Sequence, residues 1–308
     1  MKIDLTTLEP HREAGHIGTQ RHPYLPLLIH NYTQRCQFDR AWNNVTLMCR
    51  GLITDDHGNV ICRPFRKFFN LDEHTAPGSM LPAINWNQGF HVTEKLDGSL
   101  GVLYPTPTGP AIATRGSFVS DQAKVGTEIL ELMRNRGWTY NPRLTYLFEI
   151  IYPENRIVVD YGKLRDLILL DVLDTESGVS VSRDELSCHS VDLGFQAVRC
   201  HQDVTAEILA SYETGEANRE GIVVRFDDGT RVKIKFGEYK RLHRLITGLT
   251  ARKIWECLST GTPLDLECVP DEFFNWVDAT KRDLLGKFDA TKARASAVFG
   301  RVIAEIDP

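Results

Sequence analysis

The hydrophobic pattern of the chain changes near residue 238, and this change constrains the fold more than any other feature. Before it, short runs of β-branched and aromatic residues alternate with turn residues, which is typical of strands. After it, apolar residues recur at helical spacing, as in Phe273, Val277, Leu284 and Phe288, and in Val298, Val302 and Ile306. The pattern predicts an α+β domain over residues 1–245 and a small all-helical domain over residues 246–308.

The predicted elements of the first domain are short, and most have turn signals at their ends. Helices are predicted at residues 120–137, 184–193 and 205–212. Residues 1–30 are expected to hold a short helix and a loop, and residues 71–88 a loop. Strands are predicted on each side of the Asp97-Gly98 turn and at residues 45–53, 60–62, 111–118, 144–151, 157–159, 167–173, 221–226 and 231–236.

Composition and charge limit the class of protein. The chain has 308 residues, of which 42% are hydrophobic and 25% charged, and no apolar run is long enough to cross a bilayer. Its first residues lack a signal-peptide pattern, so we expect a soluble, cytoplasmic protein without a membrane partner. The net charge of −5 argues against a uniformly basic surface, but basic residues cluster at 63–67 and 231–244. These clusters are either solvent-exposed faces or a local groove for a polyanion.

The seven cysteines are scattered along the chain, and no C-x-x-C pair occurs. Reduced thiols are the expectation for a cytosolic protein. Cys188-His189 and Cys200-His201 do not have the spacing of a usual zinc finger or ribbon, so we do not expect a zinc site.

A lysine stands two residues before an Asp-Gly turn in the stretch Lys95-Leu96-Asp97-Gly98. Such a turn favours a hairpin, because glycine adopts a positive φ at no steric cost. A lysine at a strand end can point into a cleft and act as a nucleophile where its surroundings favour the neutral amine. On its own, the motif fits a solvent-exposed lysine beside an ordinary hairpin equally well.

Five separated segments each place a charged residue at the end of a predicted strand. They are Lys95-Leu96-Asp97-Gly98, Arg115-Gly116-Ser117, Phe148-Glu149, Glu220-Gly221-Ile222-Val223-Val224 and Val232-Lys233-Ile234-Lys235. In this order they resemble the covalent nucleotidyltransferases, the superfamily of DNA ligases, RNA ligases and mRNA capping enzymes, over about residues 45–240. The resemblance implies a nucleotidyltransferase domain, an ATP-grasp-like ligase fold of antiparallel sheets with flanking helices.

Further segments narrow the resemblance to one branch of the superfamily. Arg50-Gly51-Leu52-Ile53 and the stretch from Arg63 to Asn70 look like the RNA ligases. Asn155-Arg156-Ile157 after the Glu149 strand looks most like the bacteriophage RNA ligase 1 type. A helical C-terminal module in place of an OB-fold is similar to that type too, since the last seventy residues do not read as five short strands.

The resemblance implies that Lys95 is the nucleophile that attacks the α-phosphate of ATP and becomes lysyl-AMP. Splitting one difficult substitution into two steps is the general advantage of a covalent intermediate. Lys233 and Lys235 alternate with Val232 and Ile234, so both ammonium groups face one side of a strand. On a buried face they would contact the α-phosphate and help to hold the Lys95 amine neutral. The alternative is a solvent-facing strand with two lysines.

Glu149 and Glu220 end apolar strands, where a carboxylate is costly to bury unless it binds something. The resemblance implies that both contact ribose and, through water, Mg²⁺, for which Mn²⁺ could substitute. Oxygen ligands suit Mg²⁺, which keeps several of its waters. Asp97 either joins this metal shell or orients the Lys95 turn. The alternative for the glutamates is an exposed strand end.

The remaining nucleotide contacts are implied by the resemblance as well. Arg50, Lys67 and Arg115 are candidate phosphate contacts, and many relatives have lysine at the position of Arg115. Arginine keeps the charge but presents a planar fork, so the contact geometry differs. Glu94, next to the nucleophile, belongs to the nucleotide pocket. An aromatic ring should stack on adenine, and Phe69 and Phe148 are the candidates, although aromatic residues on strands are more often core.

The sequence therefore predicts an ATP-dependent RNA ligase that joins 5′-phosphate and 3′-hydroxyl ends through lysyl-AMP and RNA-adenylate. Its expected role is RNA repair, on single-stranded RNA or a broken tRNA loop, as a monomer in a bacterial or phage-infected cell. One alternative keeps the chemistry and changes the substrate, as in a DNA ligase or an mRNA capping guanylyltransferase. Another is a catalytically inactive relative that only binds RNA.

Overall fold

The chain divides into two compact units, residues 1–242 and residues 243–308, in a computed structural model. The structure describes residues 1–76, 78–134, 140–205, 208–209, 217–246, 248–264 and 271–306. The boundary predicted from the sequence lies at residues 245/246. Among the described residues, no helix is both long enough and apolar enough to cross a membrane.

The first unit is built mainly from short strands. They are β1 (Ile17–Arg21), β2 (Leu27–Tyr32), β3 (Arg50–Asp55), β4 (Val60–Cys62), β5 (Phe69–Asn70), β6 (Phe90–Lys95), β7 (Ser99–Tyr104), β8 (Ala111–Thr114), β9 (Leu144–Ile151), β10 (Asp166–Asp174), β11 (Cys200–His201), β12 (Gly221–Phe226) and β13 (Arg231–Lys235).

The helices are short in the first unit, and the longest one lies in the second. They are α1 (Glu9–Glu13), α2 (Gln34–Phe38), α3 (Asn44–Met48), α4 (Leu71–Thr75), α5 (Asp121–Arg134), α6 (Arg183–Leu193), α7 (Gly237–Ile246), α8 (Ala251–Thr260) and α9 (Asp271–Ile306). The 3₁₀ turns are Leu5–Leu8 and Pro153–Asn155.

The strands form three sheets. The N-terminal sheet has the order β1-β2-β3-β4, the Glu149 sheet the order β10-β9-β7-β8, and the Lys95 sheet the order β11-β6-β12-β13-β5. All pairings are antiparallel except that of β13 with β5. This architecture agrees with the predicted α+β fold of antiparallel sheets and flanking helices.

Separate apolar clusters support the sheets. One side of the Glu149 sheet packs with α5 and α6 around Tyr146, Phe148 and Leu186. The other side meets the N-terminal sheet through a cluster that includes Ile53, Val102 and Leu147. Since strand side chains alternate between faces, each strand of the Glu149 sheet supplies both clusters. The Lys95 sheet has its own cluster on one face, so its opposite face is available for polar residues.

Several predicted elements differ from the structure. Residues 71–88, predicted as a loop, begin with helix α4 (Leu71–Thr75), which has a capping box between Asn70 and Glu73. Residues 1–30 contain a short helix and most of the hairpin β1–β2. The hairpin was not predicted because polar residues in its strands interrupt the alternation of apolar and polar positions. The first part of the strand predicted at 45–53 is α3, which begins with a capping box between Asn43 and Thr46. Residues 157–159 form no strand, although their composition is β-branched. Most of the helix predicted at 205–212 lies outside the described residues.

The Lys95 turn is not the turn of a hairpin. β6 belongs to the Lys95 sheet and β7 to the Glu149 sheet, so residues 96–98 carry the chain from one sheet to the other. Leu96 packs against a small cluster that includes Ile151 and Ile168 of the Glu149 sheet. The prediction of two strands was right, but their pairing was wrong, because an Asp-Gly signal indicates a turn and not the partner of each strand.

The second unit has a small core of its own. Leu249, Ile254 and Val277 are its buried residues, and Trp276 and Leu284 pack against them. The two apolar faces predicted beyond residue 270 belong to the single long helix α9.

Candidate active site

Lys95 and Lys235 face each other across one glycine of β12. The strand register pairs Gly221 with Lys95 on one side and with Lys235 on the other. Residues that pair directly across antiparallel strands point to the same face of a sheet. The two ammonium groups therefore share the polar face of the Lys95 sheet, with no side chain between them.

A side chain at position 221 has no room, because a Cβ there would overlap the carbonyl oxygen of Ile234. We expect Gly221→Ala to separate β12 from β13, to lower the free energy of unfolding by about 1–3 kcal/mol, and to disturb the spacing of Lys95 and Lys235. Denaturant unfolding measures this. Gly286→Ala is the control, because its Cβ would meet nothing within 4 Å on helix α9. Wild-type stability of Gly221→Ala would contradict the register.

Glu220 joins the two lysines. Its Oε2 lies 2.7 Å from Lys95 Nζ and its Oε1 lies 3.0 Å from Lys235 Nζ. The Glu220 side chain is 4% exposed, and a carboxylate at such a position needs charge partners. Burial acts to raise the pKa of Glu220, but Lys95 and Lys235 outweigh burial and hold it below its usual range. One buried carboxylate thus neutralises one of two adjacent ammonium charges.

Asp97 uses its carboxylate to hold the Lys95 turn. Oδ2 accepts hydrogen bonds from the backbone N–H of Val158 (2.8 Å) and Val159 (2.9 Å). Oδ1 accepts one from the Tyr239 hydroxyl (2.7 Å), and the Asp97 N–H donates to the Tyr161 oxygen (2.8 Å). Sequence reasoning left a metal role and an orienting role open, and these contacts favour the orienting role. They also explain why residues 157–159 are not a strand, since two of their N–H groups bind a side chain.

Glu149 lies on the neighbouring sheet, next to the same turn. Its Oε1 accepts a hydrogen bond of 2.9 Å from the Gly98 N–H, and β9 places it opposite Leu100 of β7. Burial raises the pKa of Glu149 to about 8, against the opposing effect of the Lys95 ammonium. At neutral pH this carboxyl is therefore largely protonated, and a bound cation would favour loss of the proton.

This raised pKa predicts a pH dependence of stability. Between the ordinary pKa of 4.5 and about 8, the folded state holds a proton that the unfolded state has lost. The free energy of unfolding therefore falls as the pH rises through this range, by at most about 1.4 kcal/mol per pH unit. Glu149→Gln stays neutral, so its stability relative to wild type should rise from pH 5 to pH 8. Urea unfolding across this range tests it, with exposed Glu131→Gln as control. Parallel pH curves for all three proteins would contradict it.

Lys233 lies on the polar face next to the Lys95 row. It pairs with Val223 of β12 and with Asn70 of β5. Val232 and Ile234 lie in the apolar cluster behind the sheet, in agreement with the alternation in the sequence. Of the two lysines, Lys235 is buried and Lys233 is half-buried.

The three predicted phosphate contacts lie around the aromatic rings of the N-terminal part of the chain. The Arg115 guanidinium donates to the Tyr32 hydroxyl (3.0 Å) and lies over its ring. The buried Lys67 ammonium lies 5.6 Å from the ring centre of Tyr32, 5.5 Å from that of Trp42 and 5.0 Å from that of Phe69. Arg50 lies over Phe68 at 5.4 Å. Tyr32 is thus shared by Lys67 and Arg115.

Two other predicted residues lie away from the Lys95 face. Phe148, one of the two candidates for stacking on adenine, is in the core beneath α6, with its ring 5.3 Å from that of Phe195, and this position favours Phe69 over it. Strand alternation explains this, because Phe148 and Glu149 are neighbours on β9 and must point to opposite faces. Glu94 likewise alternates with Lys95, and its side chain pairs with Arg219 at 3.2 Å.

Sequence reasoning missed the residues that support the site. Four aromatic residues outside the motifs contact site residues. Lys67 lies over the rings of Tyr32 and Trp42, and Asp97 forms hydrogen bonds with Tyr161 and Tyr239. A lone aromatic residue carries no sequence signal that separates a site role from a core role. Among the described residues, no cluster of three or more His, Cys, Asp or Glu side chains could hold a metal ion on its own.

A model of the RNA ligase family matches residues 48–240, which is more than half of the chain. The chain belongs to the RNA ligase family. The match confirms the resemblance to the bacteriophage RNA ligase 1 type. It spans the strands that carry Arg50, Lys95, Glu149, Glu220 and Lys235 and ends before the second unit.

Two relatives extend the comparison. The chain is 32% identical over 203 residues to a protein of Thermovibrio ammonificans named "Putative RNA ligase", covering 62% of this chain and 51% of that protein. It is 27% identical over 317 residues to the "RNA ligase" of Rhodothermus phage RM378, covering 80% of this chain and 70% of that protein. The chain thus spans about half the length of the first relative and more than two thirds of the second.

A solved structure shows the same fold. The "Putative ATP-dependent DNA ligase from Aquifex aeolicus" superposes with a TM-score of 0.52 at 12% identity, covering 94% of this chain and 75% of that one. At this identity the likeness concerns the fold alone, and it confirms the predicted ligase-type nucleotidyltransferase fold.

Proposed function

We propose that this chain is an ATP-dependent RNA ligase that joins 5′-phosphate and 3′-hydroxyl ends of RNA. The Lys95 amine attacks the α-phosphate of ATP, pyrophosphate leaves, and lysyl-AMP forms. The 5′-phosphate of the RNA then attacks the AMP phosphorus and releases Lys95, which gives an RNA-adenylate. Finally the 3′-hydroxyl attacks the activated 5′-phosphate and AMP leaves. The observation that carries this proposal is the Lys95–Glu220–Lys235 cluster across Gly221, in a chain of the RNA ligase family.

The geometry supports a distinct role for each charged group in the proposed first step. Lys235 shares Glu220 with Lys95, so its ammonium lies beside the place of attack and can stabilise negative charge that develops on the α-phosphate. Lys233, on the adjacent row of the same face, is placed for the next phosphate oxygens. Asp97 fixes the turn that follows Lys95 and so limits the positions that the amine can adopt.

Mg²⁺, or Mn²⁺ in its place, would offset the negative charge of the phosphates. The half-buried Glu149 and the buried Glu220 offer the hard oxygen atoms that such ions prefer, and both lie next to Lys95. Among the described residues, no group of three or more His, Cys, Asp or Glu side chains is arranged to hold a metal ion on its own, so waters and phosphate oxygens would complete the shell of the proposed ion. Asp97 is the weakest candidate ligand, since both of its oxygens accept hydrogen bonds.

The other predicted contacts are proposed for the nucleotide as well. Arg50, Lys67 and Arg115 supply positive charge for phosphate groups, and Phe69 lies beside Lys67. Glu94 is proposed as part of the nucleotide pocket because it precedes Lys95 in the chain. Its side chain is paired with Arg219.

The proposed substrate is single-stranded RNA, and the ends of a broken tRNA loop are one source of it. We propose that the protein acts as a monomer. The names of the two relatives support RNA over DNA.

Incubation of the protein with α-labelled ATP and Mg²⁺, first without and then with 5′-phosphorylated RNA, tests the proposal. Label should appear on the protein, move to the 5′ end of the RNA, and disappear from the RNA as joined product forms. Labelling by GTP alone would indicate a guanylyltransferase, and sealing restricted to nicked duplex DNA would indicate a DNA ligase. RNA binding without any protein label would indicate an inactive relative. Each of these three outcomes overturns the proposal.

A further inference from the structure

A second row of cationic residues lies on the same sheet face as Lys95. Arg225 of β12 pairs with His91 of β6 on one side and with Arg231 of β13 on the other. His91 and Lys95 are four positions apart on β6. At ~3.3 Å per residue, the His91 row therefore lies about 13 Å from the Lys95 row. Because four is an even number, both rows point to the same face.

A middle row lies between the Lys95 row and the Arg225 row. Thr93 and Lys233 flank Val223 there, and Asn70 of β5 lies beyond Lys233. The polar face of the Lys95 sheet thus carries positive charge along its whole length on β13, from Lys235 through Lys233 to Arg231. Three basic residues of one strand therefore link the Lys95 row to the far row.

A cavity of about 720 Å³ opens over the far row. We call it the basic groove and define it by Arg63, Phe65, Arg66, Phe68, Arg225 and Arg231. Its volume lies within the range of pockets that hold organic ligands of a few hundred daltons. Among the described residues, its lining contains five Lys or Arg side chains and two carboxylates, Asp227 and Asp228 of the β12–β13 turn.

The arginines of the groove differ in how firmly they are held. Arg231 is largely buried, 2.9 Å from Asp171 Oδ2, and it ties the Lys95 sheet to the Glu149 sheet. Arg225 lies farther from the same carboxylate, at 3.6 Å. Arg66 is exposed and donates to the Asn44 side chain at 3.0 Å. Asp171, Asp227 and Asp228 offset three of the five cationic charges, so the groove keeps a surplus of positive charge.

Aromatic rings line the same groove. The Arg231 guanidinium lies 4.5 Å from the ring centre of Phe65, and the rings of Phe65 and Phe68 lie 6.2 Å apart at a steep angle. Both rings are only half-buried. Aromatic rings beside arginines are the surfaces on which the bases of a single strand stack, while the cations hold its phosphates.

We propose that the basic groove binds the nucleotides of a single-stranded RNA next to the end that reacts at Lys95. This inference rests on the proposed ligase function. Three linked phosphates of ATP would be held by the lysines of the first two rows, whereas a polynucleotide is long enough to reach the third. The proposed ligand is a single strand of RNA, and it is either the strand that carries the 5′-phosphate or the strand that carries the 3′-hydroxyl.

The test is a double variant, Arg66→Ala with Arg225→Gln, compared with wild type. Protein labelling with ATP alone should stay within about twofold, because neither residue contacts the Lys95 row. The Kd for single-stranded RNA should rise about tenfold at 0.1 M salt. Loss of two phosphate contacts should also make the slope of log K against log salt shallower by about 1.4. Binding of RNA with only a 5′-phosphate, and of RNA with only a 3′-hydroxyl, shows which strand the groove holds.

Two control variants show whether the loss of RNA affinity is specific to the groove. Arg143→Ala with Arg165→Ala removes the same charge from exposed positions outside the groove, and it should leave RNA affinity near that of wild type. Arg66→Lys with Arg225→Lys should recover most of the affinity if phosphates are bound. An unchanged RNA affinity and salt slope in the double variant, an equal loss in the control, or a raised KM for ATP with normal RNA binding would each overturn the groove proposal. If wild type forms no lysyl-AMP, the ligase function itself fails instead.

Discussion

Lys95→Ala should abolish the formation of lysyl-AMP, with a loss of label of about 10⁴-fold or more, as expected when a covalent nucleophile is removed. No other amine can take its place, because Lys235 is buried on the far side of Gly221 and is held by Glu220. Incubation with α-labelled ATP and gel separation of the protein measures this. Lys95→Arg should fail as well, since a guanidinium keeps its proton.

The same variant separates chemistry from folding. An RNA that already carries AMP on its 5′-phosphate does not need the lysine as a nucleophile. Lys95→Ala should therefore still join such an RNA to a 3′-hydroxyl end, at a rate closer to wild type than its rate with ATP and ordinary RNA. Unchanged labelling in Lys95→Ala would show that another residue carries AMP, and the proposed reaction centre would be wrong.

Glu220→Gln should be among the most destabilising single changes in the first unit. The two ammonium groups at 2.7 Å and 3.0 Å would lose their shared counter-charge in a site with little access to water. Removing one partner of a buried ion pair costs about 3–5 kcal/mol, because the other charge is left uncompensated. Urea unfolding at pH 7 measures the loss, and labelling with ATP should fall at the same time.

A matched control exists on helix α5. Glu128 and Arg165 are also separated by 2.7 Å, but both side chains are largely exposed. Exposed pairs contribute about 0–1 kcal/mol, so Glu128→Gln should have little effect. A second variant, Glu220→Gln with Lys235→Met, removes one of the two stranded charges and should recover part of the stability. Equal small losses for Glu220→Gln and Glu128→Gln would contradict the buried cluster.

The pH at which stability is measured matters for these comparisons. The lowered pKa of Glu220 means that its carboxylate contributes stability above the ordinary pKa, and that this contribution is lost as the pH falls through the folded-state value. The raised pKa of Glu149 acts in the opposite direction. The two carboxylates of one site therefore give opposite slopes, and Glu220 variants are best compared at a fixed pH.

Sequence reasoning succeeded where side-chain order on a strand decides the outcome. The alternation of Val232, Lys233, Ile234 and Lys235 placed both lysines on one face, because a period of two leaves no other arrangement. The same rule should have excluded Phe148 as a partner of the Glu149 face, but the two were treated as neighbours in sequence.

The parts that sequence reasoning missed depend on contacts between distant segments. The Asp97 carboxylate binds amides more than sixty positions later, and the Tyr239 hydroxyl reaches it from helix α7. The Lys67 ammonium lies among rings from three separate segments of the chain. Such groups of contacting residues have no characteristic spacing in the sequence, since their contacts depend on which distant segments pack together.

The crossing at residues 96–98 has a consequence for how this protein tolerates change. Lys95, the proposed nucleophile, ends strand β6 of one sheet, Glu149 belongs to the other sheet, and Leu96 packs in a cluster with Ile151 and Ile168 of that second sheet. The distance between Lys95 and Glu149 therefore depends on how the two sheets pack on each other. Apolar substitutions in that buried cluster, at residues that carry no charge themselves, would therefore alter the rate of lysyl-AMP formation before they lower the stability of the fold.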